Sequence, residues 1–294
     1  MSKTAKKPVN RAYRFTGYAL SLVIICVLGL TYSKAHHVIA NHALLRAINQ
    51  RDLAAATDAL HRGADPNTID EHISIAGDIP EHFGMREMLE ELTSKAPQGD
   101  QWTALMIASR TGQADIVAAL LNDKAAVNTQ NKNGMTALAF AAFWGHADVV
   151  ELLLGHDADV DLASDVADTP LLSASRVGHA NIVQLLLDKG AKVNVSSTSG
   201  DTPLIWAVDG GHLEVVKLLL SRGAKTEVHG KNVFTPLQEA IDKDYYEITN
   251  VLIASGADVN SIYDYGFTPL STAETFGHPK IAALLKKAGA KEEK

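Results

Sequence analysis

One spacing of 33 residues recurs along most of the chain, and it constrains the possible fold more than any other feature. A threonine that opens a Thr-(Pro/Ala)-Leu triplet stands at Thr103, Thr136, Thr169, Thr202, Thr235 and Thr268. Glycine follows nine residues later in five of these six repeats, and an alanine closes each one. A period of this length indicates a row of similar units, because one such unit is too small to bury its own apolar stripe. The sequence therefore predicts a stack of units rather than a single enclosed core.

Each repeat carries the local signals of two short helices joined by a tight turn. The threonine is a favoured N-cap, and in four repeats proline follows at the first helical position, where no amide hydrogen bond is lost. The glycine is expected to end the first helix in a left-handed conformation. The second helix carries an apolar stripe such as Ile182-Val183. Lys124 and Asp157 replace its closing glycine, which costs about 1 kcal/mol or less each, so residues 99–163 are expected to be less stable.

The combined pattern resembles the ankyrin repeat over residues 99–291. It is clearest from Gly200-Asp201-Thr202-Pro203-Leu204 to Gly223-Ala224. The resemblance implies an all-α ankyrin-repeat solenoid, in which helix-turn-helix units stack and project finger loops. It also implies that partners bind on the concave side of a curved stack, against the fingers and the first helices.

The chain upstream of residue 99 keeps the pattern only in part. Residues 42–67 predict an N-terminal capping unit, because the run from Gly63 to Asn67 looks like the end of a repeat. Asn67 and Asn128 hold equivalent places 61 residues apart, which is five short of two full repeats. We therefore interpret 68–98 as a degenerate unit, followed by six repeats in 99–294.

The N-terminal segment 15–33 is uncharged and mostly apolar. A helix of this length reaches roughly 28 Å, close to the thickness of a bilayer core. We expect one transmembrane helix or uncleaved signal anchor here, after a basic cytoplasmic tail at 1–14 and before a linker at 34–41. Five basic residues precede the segment, so the positive-inside rule predicts a single pass through the cytoplasmic (inner) membrane with a periplasmic or otherwise extracytoplasmic body. The alternative is a signal peptide cleaved after Ala35, which leaves a soluble body on the same side.

Charge and motif content exclude several kinds of function. Residues 1–35 carry six basic side chains and no acid, whereas the rest has 21 basic and 34 acidic residues, which disfavours nucleic-acid binding. Cys26 is the only cysteine, so the body has no disulfide and no thiolate metal site. We found no phosphate loop, zinc helix motif or nucleophile elbow. We therefore expect no catalytic residue, cofactor, metal or small-molecule substrate, and we interpret His36, His37 and His42 as linker rather than ligands.

The outward positions of the predicted first helices gather aromatic and arginine side chains. Such residues on one exposed face are typical of interface hot spots. The candidate partner-binding residues are Trp102, Arg110, Met135, Phe143, Trp144, Arg176, Phe234, Phe267 and Phe276. The alternative for Trp102, Met135, Phe143 and Trp144 is packing against neighbouring fingers or the degenerate unit. Trp206 is expected to face the core.

These features together predict a non-catalytic scaffold, anchored in a membrane, that binds a folded protein partner of unknown identity. The alternative is a protective inhibitor or immunity protein that uses the same face to block a toxin or an envelope enzyme.

Overall fold

The computed structural model describes residues 36–70, 101–227, 235–262 and 266–291. The expected tail and membrane segment and most of the degenerate unit lie outside these ranges. Each helix within them is too short or too polar to cross a bilayer. The chain divides into two compact units, Met1–Asp65 and Pro66–Lys294.

The described part of the first unit is a pair of helices, α1 at 36–50 and α2 at Leu53–His61. Asp52 caps α2, since its Oδ1 accepts a hydrogen bond from the amide of Ala55 at 2.9 Å. Buried apolar side chains from both helices, among them Leu44, Ile48 and Ala56, form the core between them.

Residues 36–41, which were predicted to belong to a linker, are helical and belong to α1. This stretch has no helix breaker, and its polar side chains bond the loop that follows α2. His37 Nδ1 donates to the carbonyl of Gly63 at 2.7 Å, and Asn41 Oδ1 accepts from the amide of Asp65 at 2.7 Å. His37 is therefore a loop-fixing residue of this helical pair.

The second unit opens with a short antiparallel pair of strands, β1 at Ile69–Asp70 and β2 at Trp102–Thr103. Ile69 is opposite Thr103 in the register. The all-α prediction did not include this pair. The paired residues lie 34 and 32 positions apart in the chain, so no local sequence pattern predicts the pairing.

Six helical pairs follow in the described part of the second unit, and we number them repeats 1 to 6. In chain order they are α3 (Ala104–Arg110) and α4 (Ala114–Asn122), α5 (Ala137–Trp144) and α6 (Ala147–Gly155), α7 (Pro170–Val177) and α8 (Ala180–Asp188), α9 (Pro203–Asp209) and α10 (Leu213–Ser221), α11 (Pro236–Asp242) and α12 (Tyr246–Ala254), and α13 (Pro269–Thr275) and α14 (Pro279–Lys287). Each first helix packs on the first helix of the next repeat, and each second helix packs on the next second helix. The predicted solenoid of stacked helical pairs is confirmed.

The capping signals act as the sequence predicted. All six threonines are N-caps, as where Thr136 Oγ1 accepts from the amide of Ala139 at 3.1 Å. Gly145 ends α5 in the left-handed region at φ 83°. Lys124 and Asp157 also have positive φ, at 66° and 61°, as expected from the glycines they replace.

Candidate protein-interaction face

Four positions of the repeat lie along one side of the first helices, and we call their described residues the first-helix face. They are the residue before the capping threonine and the residues four, seven and eight places after it. Helix residues four apart lie one above the other, so these positions align on one side of each first helix. Because first helices stack on first helices, the described residues of the face follow one another from repeat to repeat.

Trp102, a candidate contact residue, is instead part of the core. Its side chain is 1% exposed, and its indole ring stacks on the ring of Phe140 with centroids 4.2 Å apart. Strand β2 holds its backbone, and the next repeat supplies the ring that covers it. The expectation that Trp102 is exposed is therefore wrong, and the alternative of packing against a neighbour describes it.

Above Trp102 lies a cluster that reaches the surface, formed by Arg110, Phe143 and Trp144. The Arg110 guanidinium lies 5.6 Å from the centroid of Trp102 and 5.5 Å from that of Trp144. The ring of Phe143 meets Trp144 edge to face at 5.5 Å. All three residues are half-buried. Cation–π and aromatic contacts each contribute about 0.5–1.5 kcal/mol, so this surface is ordered before any partner arrives.

A second arginine–tryptophan contact lies two repeats further along. The Arg176 guanidinium lies over Trp206 at 4.0 Å from the ring centroid. Trp206 is half-buried rather than fully buried, so the expectation that it faces the core is only partly correct. The sequence analysis did not predict this pair. The available signal was an arginine in repeat 3 and a tryptophan in repeat 4, both at positions of the first-helix face.

Asp168 lies beneath this contact and was not among the candidates. Its side chain is buried, and its Oδ2 lies 3.7 Å from Arg176 Nη2 and accepts from Ser173 Oγ at 3.3 Å. Burial raises the pKa of Asp168, while the charge of Arg176 and the bond from Ser173 lower it; the net direction is upward. Arg176 is thus held between a buried carboxylate and an indole face.

A ladder of histidines fixes the ends of the first helices. His146 Nε2 donates to the carbonyl of Arg110 at 2.9 Å, and His179 and His212 repeat the bond to the carbonyls of Phe143 and Arg176 at 3.2 and 3.0 Å. Burial lowers the pKa of His179, which keeps its ring neutral. The repeated histidines are therefore structural, and they set the carbonyl ends of three helices that carry the face.

Repeats 4 and 5 carry mostly carboxylates on the same face. Lys243 Nζ lies 2.6 Å from Asp209 Oδ1 and 3.4 Å from Glu239 Oε1. Burial raises the pKa of Glu239, and neighbouring Asp209 raises it further against the lowering effect of Lys243. Burial also raises the pKa of Asp242, partly offset by His278.

The remaining candidates do not join the arginine–tryptophan contacts. Phe267 and Phe276 of repeat 6 are 44% and 60% exposed. Met135 is half-buried and its backbone is held by Asn131, whose Oδ1 accepts from the Met135 amide at 2.9 Å. Phe234 lies outside the described residues. Over the described ranges, no group of three or more His, Cys, Asp or Glu side chains is arranged to hold a metal.

Comparison with known proteins places this architecture among characterised folds. A family model described as ankyrin repeats (3 copies) matches residues 81–164 and 158–230, and a model of the single ankyrin repeat matches 232–264. A crystal structure of an ankyrin repeat domain from Acinetobacter baumannii AYE is similar, with 30% sequence identity and a TM-score of 0.60. The similarity covers 64% of this chain and 98% of that one. No curated protein matches the sequence.

Proposed function

Because the chain belongs to the ankyrin-repeat family, we propose that it is a non-catalytic scaffold that binds a protein partner on its first-helix face. Ankyrin repeats generally mediate protein–protein interaction, and the fold is typically a non-catalytic module. Function within a fold must still be argued from a site. The observation that carries this proposal is the surface cluster of Arg110, Phe143 and Trp144 over buried Trp102.

The cluster of Arg110, Phe143 and Trp144 has the composition of a binding hot spot, and its side chains are already held in place without a partner. Aromatic and arginine side chains dominate such sites, and groups that are ordered beforehand lose little conformational entropy on binding. Trp102 supports the cluster from below, whereas Trp144 and Phe143 expose ring surface to a partner. The contact residues of the first two repeats are therefore Arg110, Phe143 and Trp144.

A crosslinking pull-down with the full chain in mild detergent tests the proposal. The Trp144→Ala variant is expected to weaken capture of the partner roughly 30-fold, the effect of losing about 2 kcal/mol at a hot spot. Tyr246→Ala is the matched control, since Tyr246 is an exposed aromatic residue on a second helix. Equal capture by both variants and the unmodified chain would remove the cluster from the binding site.

We further propose that the scaffold is attached to a membrane through residues 15–33, with its repeats outside the cytoplasm. The support is the uncharged apolar segment and the five basic residues before it. Alkaline carbonate extraction should leave the chain in the membrane fraction, and protease added outside the cytoplasmic membrane should digest the repeats. A soluble product that begins after Ala35 would show a cleaved signal peptide, and protected repeats would refute the orientation.

A further inference from the structure

The charge of the first-helix face changes sign along the stack. In the described residues of repeats 1 to 3 it carries Arg110 and Arg176 against one carboxylate, the buried Asp168. In repeats 4 and 5 it carries four carboxylates against the single ammonium of Lys243. We call these carboxylates the acidic section, and they are Asp201, Asp209, Glu239 and Asp242.

The carboxylates of the acidic section are incompletely neutralised within the protein. Lys243 contacts Asp209 and Glu239. Asp242 Oδ1 is buried and accepts no hydrogen bond from any described residue, and neighbouring His278 only partly offsets the effect of burial on the Asp242 pKa. Carboxylates that are half-buried near one another have a less favourable ionised form, and a cation beside them stabilises that form. The section is therefore electrostatically suited to basic side chains from outside.

Apolar side chains lie within the acidic section and beyond it. Trp206 lies beside it in repeat 4, and the exposed rings of Phe267 and Phe276 follow in repeat 6. Neighbouring helices pack about 8–10 Å apart, so α9 to α13 spans roughly 16–20 Å. An extended segment covers that distance with about five or six residues, at roughly 3.3 Å each.

Resting on the proposed function, we propose that the partner contributes a basic segment that lies across α9 and α11. At least two lysine or arginine side chains of this segment face Asp209 and Asp242, and apolar side chains on either side contact Trp206 and Phe276. A segment with the opposite charge is repelled by the acidic section and finds favourable contacts only in repeats 1 to 3.

A phage-displayed library of random 16-residue peptides, selected on the full chain in mild detergent, tests this inference. The informative variant is the double substitution Asp209→Arg/Asp242→Arg. Arginine already stands at the same repeat position in Arg110 and Arg176, so this helical position accepts it. Thermal unfolding monitored by circular dichroism verifies that the variant is folded.

The matched control places the same charge change on the second helices. Glu151→Lys/Glu214→Lys alters two exposed residues, and lysine already occurs at equivalent places in Lys217 and Lys280. Any loss of binding that follows from the net charge alone must appear in this variant too.

We expect the selected peptides to be enriched in clustered lysine and arginine with apolar residues nearby. Their affinity should fall at least 10-fold in the Asp209→Arg/Asp242→Arg variant and stay within about twofold in the control. Peptides without basic enrichment, no binding peptides at all, or equal affinity for both variants would overturn the inference. If capture of the partner still depends on Trp144 while the peptide result is negative, only the basic segment is refuted and the proposed function stands.

Discussion

Replacing Trp102 by alanine is the sharpest test of how repeats 1 and 2 are held together. Trp102 is 1% exposed, and its ring stacks on Phe140 at 4.2 Å. Its Nε1 has no hydrogen-bond partner among the described residues, so the loss is one of apolar packing. Truncation of a buried tryptophan costs about 3–5 kcal/mol, which is a large part of the free energy of unfolding of a typical domain.

Trp144→Ala supplies the comparison, because it removes the same side chain from the half-buried part of the cluster. That change loses the contacts with Arg110 and Phe143, worth together about 1–2 kcal/mol. Trp102→Phe keeps a ring against Phe140 and should lie between the two. Urea unfolding followed by circular dichroism ranks the three variants.

Hydrogen exchange then locates the effect, since repeats of a solenoid can lose structure separately. Amides of α3 and α5 should exchange faster in Trp102→Ala, while those of α11 and α13 serve as an internal reference. If Trp102→Ala costs no more than Trp144→Ala, the assignment of Trp102 to the core is wrong.

Three further predictions concern stability. The folded-state pKa of Asp168 is raised, so its ionised form destabilises the fold above that pKa, and this destabilisation is removed as the pH falls. Asp168→Asn should therefore be at least as stable as the unmodified chain at pH 7. In urea titrations the difference in the free energy of unfolding should shrink toward pH 4. Burial lowers the folded-state pKa of His179, so the stability that its neutral ring contributes is complete above the unfolded pKa of about 6.5 and declines below it. His179→Ala should therefore reduce the dependence of the free energy of unfolding on pH below about 6.5. Lys124→Gly and Asp157→Gly should each raise the free energy of unfolding by up to about 1 kcal/mol, because both residues have positive φ; unchanged or lower thermal midpoints would contradict this.

The acidic section gives one prediction about binding. Burial raises the pKa of Glu239, with Asp209 adding to the effect, and burial also raises that of Asp242. Their charges, which attract a basic peptide, are therefore neutralised at higher pH than those of ordinary carboxylates. Affinity for a selected basic peptide should fall as the pH drops toward 4, whereas a pH-independent affinity measured by fluorescence anisotropy would exclude these carboxylates from the contact.

Features set by neighbours in the chain were predictable from the sequence. The threonine caps and the left-handed ends at Gly145 and Lys124 depend only on the next few residues. Features set by distant neighbours were not. Trp102 occupies a position that is half-exposed in Met135 of the next repeat, and its burial depends on Phe140 and on the strand at 69–70.

The same difference explains the remaining discrepancies. Residues 36–41 are helical in a stretch with little apolar periodicity, and His37 and Asn41 form bonds to a loop 24–26 residues away. Trp206 was predicted to face the core because of its place in the repeat, whereas in the structure its ring contacts Arg176 of the preceding repeat. Asp168 was not among the candidates, because its contact with Arg176, eight places along the chain, is visible only in the folded structure.

The histidine ladder ends after His212, and this end divides the stack into two kinds of junction. Tyr245 takes the place of the histidine in repeat 5, and Lys243 Nζ bonds the carbonyl of Asp209 at 3.2 Å instead. In repeat 6, His278 Nδ1 faces the exposed Asp244 carboxylate at 3.3 Å. Dissolved ions screen exposed charges such as those of Lys243 and Asp209, which lie 2.6 Å apart. Rising ionic strength should thus weaken the bonds that Lys243 makes to repeat 4, so that the cohesion of the junction between repeats 4 and 5 depends on the salt concentration around the protein.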